Sequence, residues 1–192
     1  MLYRFEKEKD TKWSSYDWQK VRYETIKHLL GGGAIGAEIG VYRGGFAEFL
    51  LPHCELLYLL DPWYIKNPFW SDEKTPQNSS VRACLNIMNN YIDEMESGQI
   101  KIVINYSVPF LRSLQDNYLD WVYIDSSHTY KNTLKEIQLS AQKVKNDGFI
   151  IGDDYHKPGV IEAANEFCRQ SNRKVPDLIL NEKNQWAMRN IT

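Results

Sequence analysis

The chain lacks most of what would tie it to an oxidising, membrane-bound or polyanion-binding setting. It has three cysteines in 192 residues, Cys54, Cys84 and Cys168. They form no CxxC pair and no metal-ligand spacing, and an odd, scattered set predicts buried thiols in a reducing compartment. No run of about 18 apolar residues exists, so no membrane-spanning helix is expected. The opening Met1-Leu2-Tyr3-Arg4-Phe5-Glu6-Lys7 is charged and has no apolar h-region. It does not read as a signal peptide, and the expectation is a cytoplasmic protein. Neither sign of charge is in excess: Lys and Arg number 23 and Asp and Glu 25, a net charge of -2. Bulk electrostatics therefore recruits neither nucleic acid nor an anionic membrane. The dinucleotide fingerprint G-x-G-x-x-G is absent, and so is a Walker A lysine, which argues against NAD and ATP. There is no internal repeat, low-complexity tract or linker.

What remains is an ordinary globular composition, 43% hydrophobic and 25% charged, long enough for one domain with a good-sized core. Aromatics are plentiful, with six Trp and twelve Tyr. Most belong in a core, and some are free to line a pocket. Residues 14–30 read as a helix with Trp18, Val21, Tyr23, Ile26, Leu29 and Leu30 as its stripe, ended by Gly31-Gly32-Gly33. Strands are expected at 34–40, 56–60, 100–104, 119–124 and 149–152, with helices between them. Asn146-Asp147-Gly148 reads as the turn into the last of these strands. Residues 62–80 form one long irregular segment with Trp63, Tyr64, Phe69 and Trp70, the make-up of a lid or binding loop. Val81, Cys84, Leu85, Met88, Tyr91, Ile92 and Met95 then fit an amphipathic helix. Asp177–Asn190 reads as a hairpin turning at Lys183-Asn184. Strands alternating with helices predict a parallel sheet covered on both faces.

Two constellations carry chemistry. Glu38-Ile39-Gly40-Val41-Tyr42-Arg43-Gly44-Gly45 joins the first strand to its helix, where glycines let the backbone approach a ligand. Asp61 ends the second strand at the spacing of an acid that accepts bonds from a ribose diol. The second constellation is Asp125-Ser126-Ser127-His128 and Asp153-Asp154, each read off the end of a buried strand. Two acids separated by one helix can stand on neighbouring strands. Three carboxylates in one crevice would repel, and a hard divalent cation relieves that, with oxygen ligation favouring Mg²⁺, Mn²⁺ or Ca²⁺. His128 is suited to accept a proton near neutral pH. The plainer alternatives are a tight strand-to-helix turn for the glycines and a helix cap or turn for the paired aspartates, while His128 taken alone reads as an ordinary histidine. Their joint order carries the argument.

On Ala37-Glu-Ile-Gly-Val-Tyr-Arg-Gly-Gly45, Leu60-Asp-Pro-Trp63, Val122-Tyr-Ile-Asp-Ser-Ser-His-Thr-Tyr130 and Gly148-Phe-Ile-Ile-Gly-Asp-Asp-Tyr155, the chain resembles the class I S-adenosylmethionine-dependent methyltransferases. More narrowly, it is similar to the metal-dependent sugar O-methyltransferases of the macrocin, mycinamicin and rhamnosyl type. The likeness covers roughly residues 30 to 190. It implies a Rossmann-like, doubly wound α/β fold, a mostly parallel seven-stranded sheet with a C-terminal antiparallel hairpin. Residues 31–192 form the methyltransferase domain, and 1–30 a helical segment serving the acceptor site or a subunit contact in a homo-oligomer.

The resemblance also implies roles. Glu38, Gly40, Tyr42, Gly44 and Gly45 would hold the methionine part of the cofactor. Asp61 would take the ribose hydroxyls beside Trp63, Ser107 would stand near the adenine, and Asp125 would border the cofactor. Asp125, Asp153 and Asp154 match metal positions for Mg²⁺ or Mn²⁺, and His128 matches a general base. Where many relatives carry Gly-Asp-Ser, this chain has Asn105-Tyr106-Ser107. The expected acceptor is a hydroxyl-bearing small molecule such as a glycoside, with no nucleic acid or membrane partner. A metal-independent methyltransferase, a non-catalytic cofactor binder and a nucleotide-sugar-modifying enzyme are the alternatives.

Overall fold

The computed structural model describes residues 16–63, 77–171, 178–180 and 185–190. The aromatic residues Phe69 and Trp70 and the turn at Lys183-Asn184 lie outside the described residues. Helix α1 (Tyr16–Leu30) leads into β1 (Ala34–Ile39), and α2 (Ala47–Leu50) with one 3-10 turn leads into β2 (Cys54–Asp61). Next come α3 (Gln77–Asn90), α4 (Ile92–Glu96), β3 (Ile100–Ile104), α5 (Ser107–Ser113) and β4 (Leu119–Ile124). The chain closes with α6 (Tyr130–Lys143), β5 (Val144–Gly152), α7 (Pro158–Gln170), β6 (Leu178–Leu180) and β7 (Gln185–Arg189).

The seven strands form one sheet in the order β3-β2-β1-β4-β5-β7-β6. The first five pair in parallel. Strand β7 runs antiparallel to both β5 and β6, so the C-terminal hairpin is as expected. Successive side chains on a strand face opposite ways, and the core divides accordingly. Tyr58 and Leu60 pack with Phe110, Leu111, Ile137 and Phe167 under α5, α6 and α7. Leu57 and Leu59 pack with Ile26, Phe46, Leu50 and Ile87 under α1, α2 and α3. The result is a three-layer α/β/α sandwich with the strands buried on both faces. No helix among the described residues is long and apolar enough to cross a membrane.

Three local readings differ from the structure. Helix α3 begins at Gln77, inside the stretch 62–80 expected to be irregular. The single helix expected over residues 81–95 breaks at Tyr91, whose φ of -118° and ψ of 30° leave the helical region between α3 and α4. Asn146-Asp147-Gly148 lies inside β5 rather than before it. There the register shifts against β4, and Asp147 takes a φ of 66°, which Asp tolerates better than most residues. Asn190 holds this irregularity: Asp147 N donates to its carbonyl at 2.8 Å, and its own N donates to Gly148 O at 2.7 Å.

The sheet order reverses between β1 and β4, since the chain winds outward to β3 and returns to the far side of β1. Crevices at such switch points, outside the carboxyl ends of the strands, are where open α/β sheets bind ligands. Ladder-type bonds continue one residue past the strands here. Gly40 N donates to Leu60 O at 2.9 Å, Asp125 N to Ile39 O at 2.8 Å and Asp153 N to Ile124 O at 3.1 Å. The backbone of each acid is thereby fixed by its neighbour.

Candidate functional site

Glu38 stands one residue before the end of β1 and is 3% exposed. Its Oε2 has no hydrogen-bond partner. Burial pushes its carboxyl up to about 8 against the pull of Arg22, and the nearby charges of Asp125 and Asp61 add to the rise. A buried, unpartnered carboxyl oxygen is costly, so this atom points to a donor that arrives from outside.

The turn that follows is built from unusual backbone. Gly40 has a φ of 94°, and a Cβ there would run into the Asp125 backbone. Gly44 has a φ of 76°, with a would-be Cβ 2.7 Å from Ile87 Cγ1. Gly45 is half-buried on the approach to α2. Tyr42, exposed, and Trp63, buried, also have positive φ. Asp61 explains how the two stay so: its Oδ2 accepts from Tyr42 N and its Oδ1 from Trp63 N, both at 2.9 Å. Trp63 Nε1 donates in turn to Tyr42 O at 2.9 Å. Burial raises the Asp61 carboxyl despite these backbone donors. Each carboxylate oxygen offers about two acceptor sites, so Asp61 retains capacity for a ligand's hydroxyls.

On the far side of the switch point, Asp125 follows the last residue of β4 and Asp153 that of β5. Between their carboxylates lies Arg22 of α1, a residue the sequence reading passed over. Its Nη2 is 2.7 Å from Asp125 Oδ2, 2.9 Å from Asp153 Oδ2 and 2.8 Å from Tyr123 Oη. Its Nη1 donates to Gln19 Oε1 at 3.0 Å, and the guanidinium lies 4.5 Å over the Phe46 ring. Burial opposes this charge, but Tyr123, Asp125 and Asp153 more than restore it. The two carboxyls share the guanidinium unequally. Burial raises both, yet Arg22 and His128 bring Asp125 below the usual range, while Asp153 stays up at about 7.

Asp153, expected beside Asp154 as an oxygen donor, is thus turned to Arg22, and its Oδ1 accepts Asp154 N at 2.9 Å. Asp125, His128 and Asp154 do converge, with one donor atom from each within 4.8 Å of the others. His128 Nε2 lies 2.6 Å from Asp154 Oδ2 and 3.9 Å from Asp125 Oδ1 but makes no aligned hydrogen bond. These two carboxylates push the imidazole up to about 9, against partial burial. Without another cation it carries the compensating positive charge. His156 flanks the group, its Nδ1 3.5 Å from Asp154 Oδ1.

Ser107 opens α5 and is tied, with Ser126, to Glu136 of α6, a second residue the sequence reading missed. Ser126 Oγ lies 2.7 and 2.8 Å from the two Glu136 oxygens. Burial raises Glu136 to about 7 although Ser107 and Ser126 both hydrogen-bond it. The turn after β3 is thereby joined to the turn after β4.

A methyltransferase-domain family model matches residues 37–155. No curated protein matches the chain. The solved O-methyltransferase NovP is similar at a TM-score of 0.60 and 16% identity, over 92% of this chain and 80% of that one. An rRNA methylase from Streptococcus thermophilus is similar at 0.60 and 9% identity, over 90% and 95%. A Streptococcus mutans methyltransferase in complex with SAH is similar at 0.58 and 10% identity, over 88% and 93%. Identities this low speak for the fold alone. Since an rRNA methylase shares it, the absence of a nucleic-acid partner expected from net charge does not follow from the fold.

Proposed function

The chain belongs to the methyltransferase-domain family and is a class I S-adenosylmethionine-dependent methyltransferase; from that premise we propose that it methylates a hydroxyl of a sugar or related small molecule, with a divalent cation and a histidine base. The convergence of Asp125, His128 and Asp154, with Asp125 one strand away from Glu38 and two from Asp61, carries this reading.

The donor half fits the cofactor. Glu38 offers an unpartnered buried oxygen to an α-ammonium group. The Gly40–Gly45 turn lets the backbone approach, and Asp61 has acceptor sites left for ribose hydroxyls. Ser107 and Ser126, linked through Glu136, border the adenine end. Bound S-adenosylmethionine supplies an already activated methyl group, so the protein's task is alignment of acceptor and donor.

The acceptor half fits a cation at Asp125 and Asp154, since Mg²⁺ is commonly held by one or two carboxylates with water and substrate oxygens completing its shell. Asp153 does not fit that role, because its Oδ2 faces Arg22, its Oδ1 faces the Asp154 amide, and its oxygens are not among the donor atoms that converge. A divalent cation at the two carboxylates would lower the pKa of an acceptor hydroxyl. His128 takes the proton that the hydroxyl sheds. That requires a neutral imidazole, which Asp125 and Asp154 disfavour while their charge is otherwise uncompensated. Helix α1 borders this half through Arg22. The free thiols of Cys54, Cys84 and Cys168 suit the reducing cytoplasm.

The test is methyl transfer to a panel of glycosides and catechols with Mg²⁺, with Mn²⁺ and with EDTA. EDTA is expected to abolish turnover and to change S-adenosylmethionine affinity, measured by calorimetry, less than twofold. Full turnover in EDTA would sink the cation.

A further inference from the structure

Arg22 is the feature that neither the family match nor the motifs absorb. It lies on α1, ahead of the matched residues 37–155, and it is 5% exposed. Its Nη2 reaches the ends of two strands at once, at 2.7 Å from Asp125 and 2.9 Å from Asp153. Its own position is over-determined. Tyr123 Oη accepts from Nε at 3.3 Å and from Nη2 at 2.8 Å. Gln19, one helical turn earlier, accepts from Nη1, and the Phe46 and Tyr123 rings lie 4.5 and 5.3 Å from the guanidinium carbon. A planar fork clamped on three sides leaves its carboxylate partners little freedom.

We propose that Arg22 is a positioning residue for the methyl-transfer site: it takes Asp153 as its counter-ion and fixes Asp125 by one oxygen, so that the other faces His128 and Asp154. The two acids therefore have different tasks although both stand at strand ends. Asp125 Oδ2 is bound by the guanidinium, and its Oδ1 is the oxygen nearest His128, at 3.9 Å. Asp153 is turned the other way, with Oδ2 on Arg22 and Oδ1 on the Asp154 amide. By holding that amide, Asp153 also orients the residue that brings the second carboxylate to His128. Asp154 sits at a φ of 59°, a conformation that needs such support.

The inference rests on the cation reading above, and its test uses a readout other than turnover. Mn²⁺ is titrated into the full chain and followed by its EPR signal. Asp154→Asn is expected to weaken Mn²⁺ binding at least tenfold, and Asp153→Asn less than threefold. Arg22→Met combined with Asp153→Asn removes the buried ion pair as a neutral pair, a replacement that folds often tolerate. It is expected to weaken Mn²⁺ at least fivefold although neither residue is a ligand.

Two results overturn the proposal: Asp153→Asn weakening Mn²⁺ as much as Asp154→Asn, or the double variant binding Mn²⁺ like wild type. The Asp153→Asn comparison decides alone if the double variant does not fold. Either result in a protein that binds Mn²⁺ refutes the role of Arg22 only. A wild-type chain that takes up no Mn²⁺ refutes the cation reading and this proposal together.

Discussion

Replacing Glu38 with glutamine should make the ligand-free protein more stable and a poorer binder of its donor. The carboxyl rises from 4.5 to about 8 because it is buried with an oxygen unpartnered. A displacement of that size corresponds to about 5 kcal/mol between the two protonation states. The folded pKa is the higher one, so the stabilisation is complete below pH 4.5 and is lost as pH rises towards 8. At pH 8 most of it is gone, and Glu38→Gln avoids the loss. The variant should then be more stable by ~2–4 kcal/mol, a melting temperature higher by about 5 °C or more for a chain of this size. An arriving ammonium group would pull the carboxyl pKa down again. At pH 7 wild type should therefore release close to one proton on binding S-adenosylmethionine, and the variant none. Calorimetry in phosphate and in Tris measures that proton, and affinity should fall at least tenfold with the lost charge-assisted bond, worth ~1.5–3 kcal/mol. A variant no more stable than wild type at pH 8, with no difference in proton release, would falsify the assignment of a neutral, unpartnered Glu38.

The other expectations are simpler. In wild type the single-turnover rate should rise with pH between 6 and 9, as a histidine base requires. In His128→Ala it should be ~100-fold lower and flat; an unchanged profile means that another group takes the proton. Gly40→Ala should destabilise by at least ~3 kcal/mol in urea melts, because a φ of 94° and contact with the Asp125 backbone both oppose a side chain. Near-neutral behaviour would mean that the β1 turn relaxes freely. Tyr123→Phe leaves donors of Arg22 and Gln185 without their acceptor, at a cost of ~1–3 kcal/mol. A loss below ~0.5 kcal/mol would show that the network re-forms without the hydroxyl.

The strand ends were legible because buried parallel strands are apolar runs, and Asp61, Asp125 and Asp153 interrupt them abruptly. Arg22 was not, for a physical reason. Seeking apolar residues selects Val21 and Tyr23 on α1, yet Val21 is 37% exposed. The buried face is Gln19, Arg22, Ile26, Leu29 and Leu30. The spacing is regular, but its N-terminal half is polar because it faces carboxylates instead of the core. Glu136 was hidden similarly: α6 buries Thr133, Glu136, Ser140 and Lys143 along with its apolar residues. The division of labour between Asp153 and Asp154 could not be read either, since adjacent aspartates look alike until Arg22 takes one of them. The break at Tyr91 follows Asn89-Asn90, whose weak helix propensity a search for an apolar stripe does not register.

Strand β7 has a consequence for the order in which the molecule is made. It supplies Gln185, which bonds Tyr123 Oη at 2.9 Å, and Trp186, whose Nε1 donates to Asp153 O at 3.2 Å. It also closes the side of β5 that does not pair with β4. During synthesis Glu38, Asp61, Asp125, His128 and Asp154 all emerge before this strand does. Until β7 arrives, β5 is an open edge, the backbone of Asp153 lacks its indole donor, and Tyr123 Oη, held by Arg22, lacks its Gln185 donor. A nascent chain thus carries the acids of the strand ends before the strand that frames them, and the switch-point crevice is completed only when β7 inserts between β5 and β6.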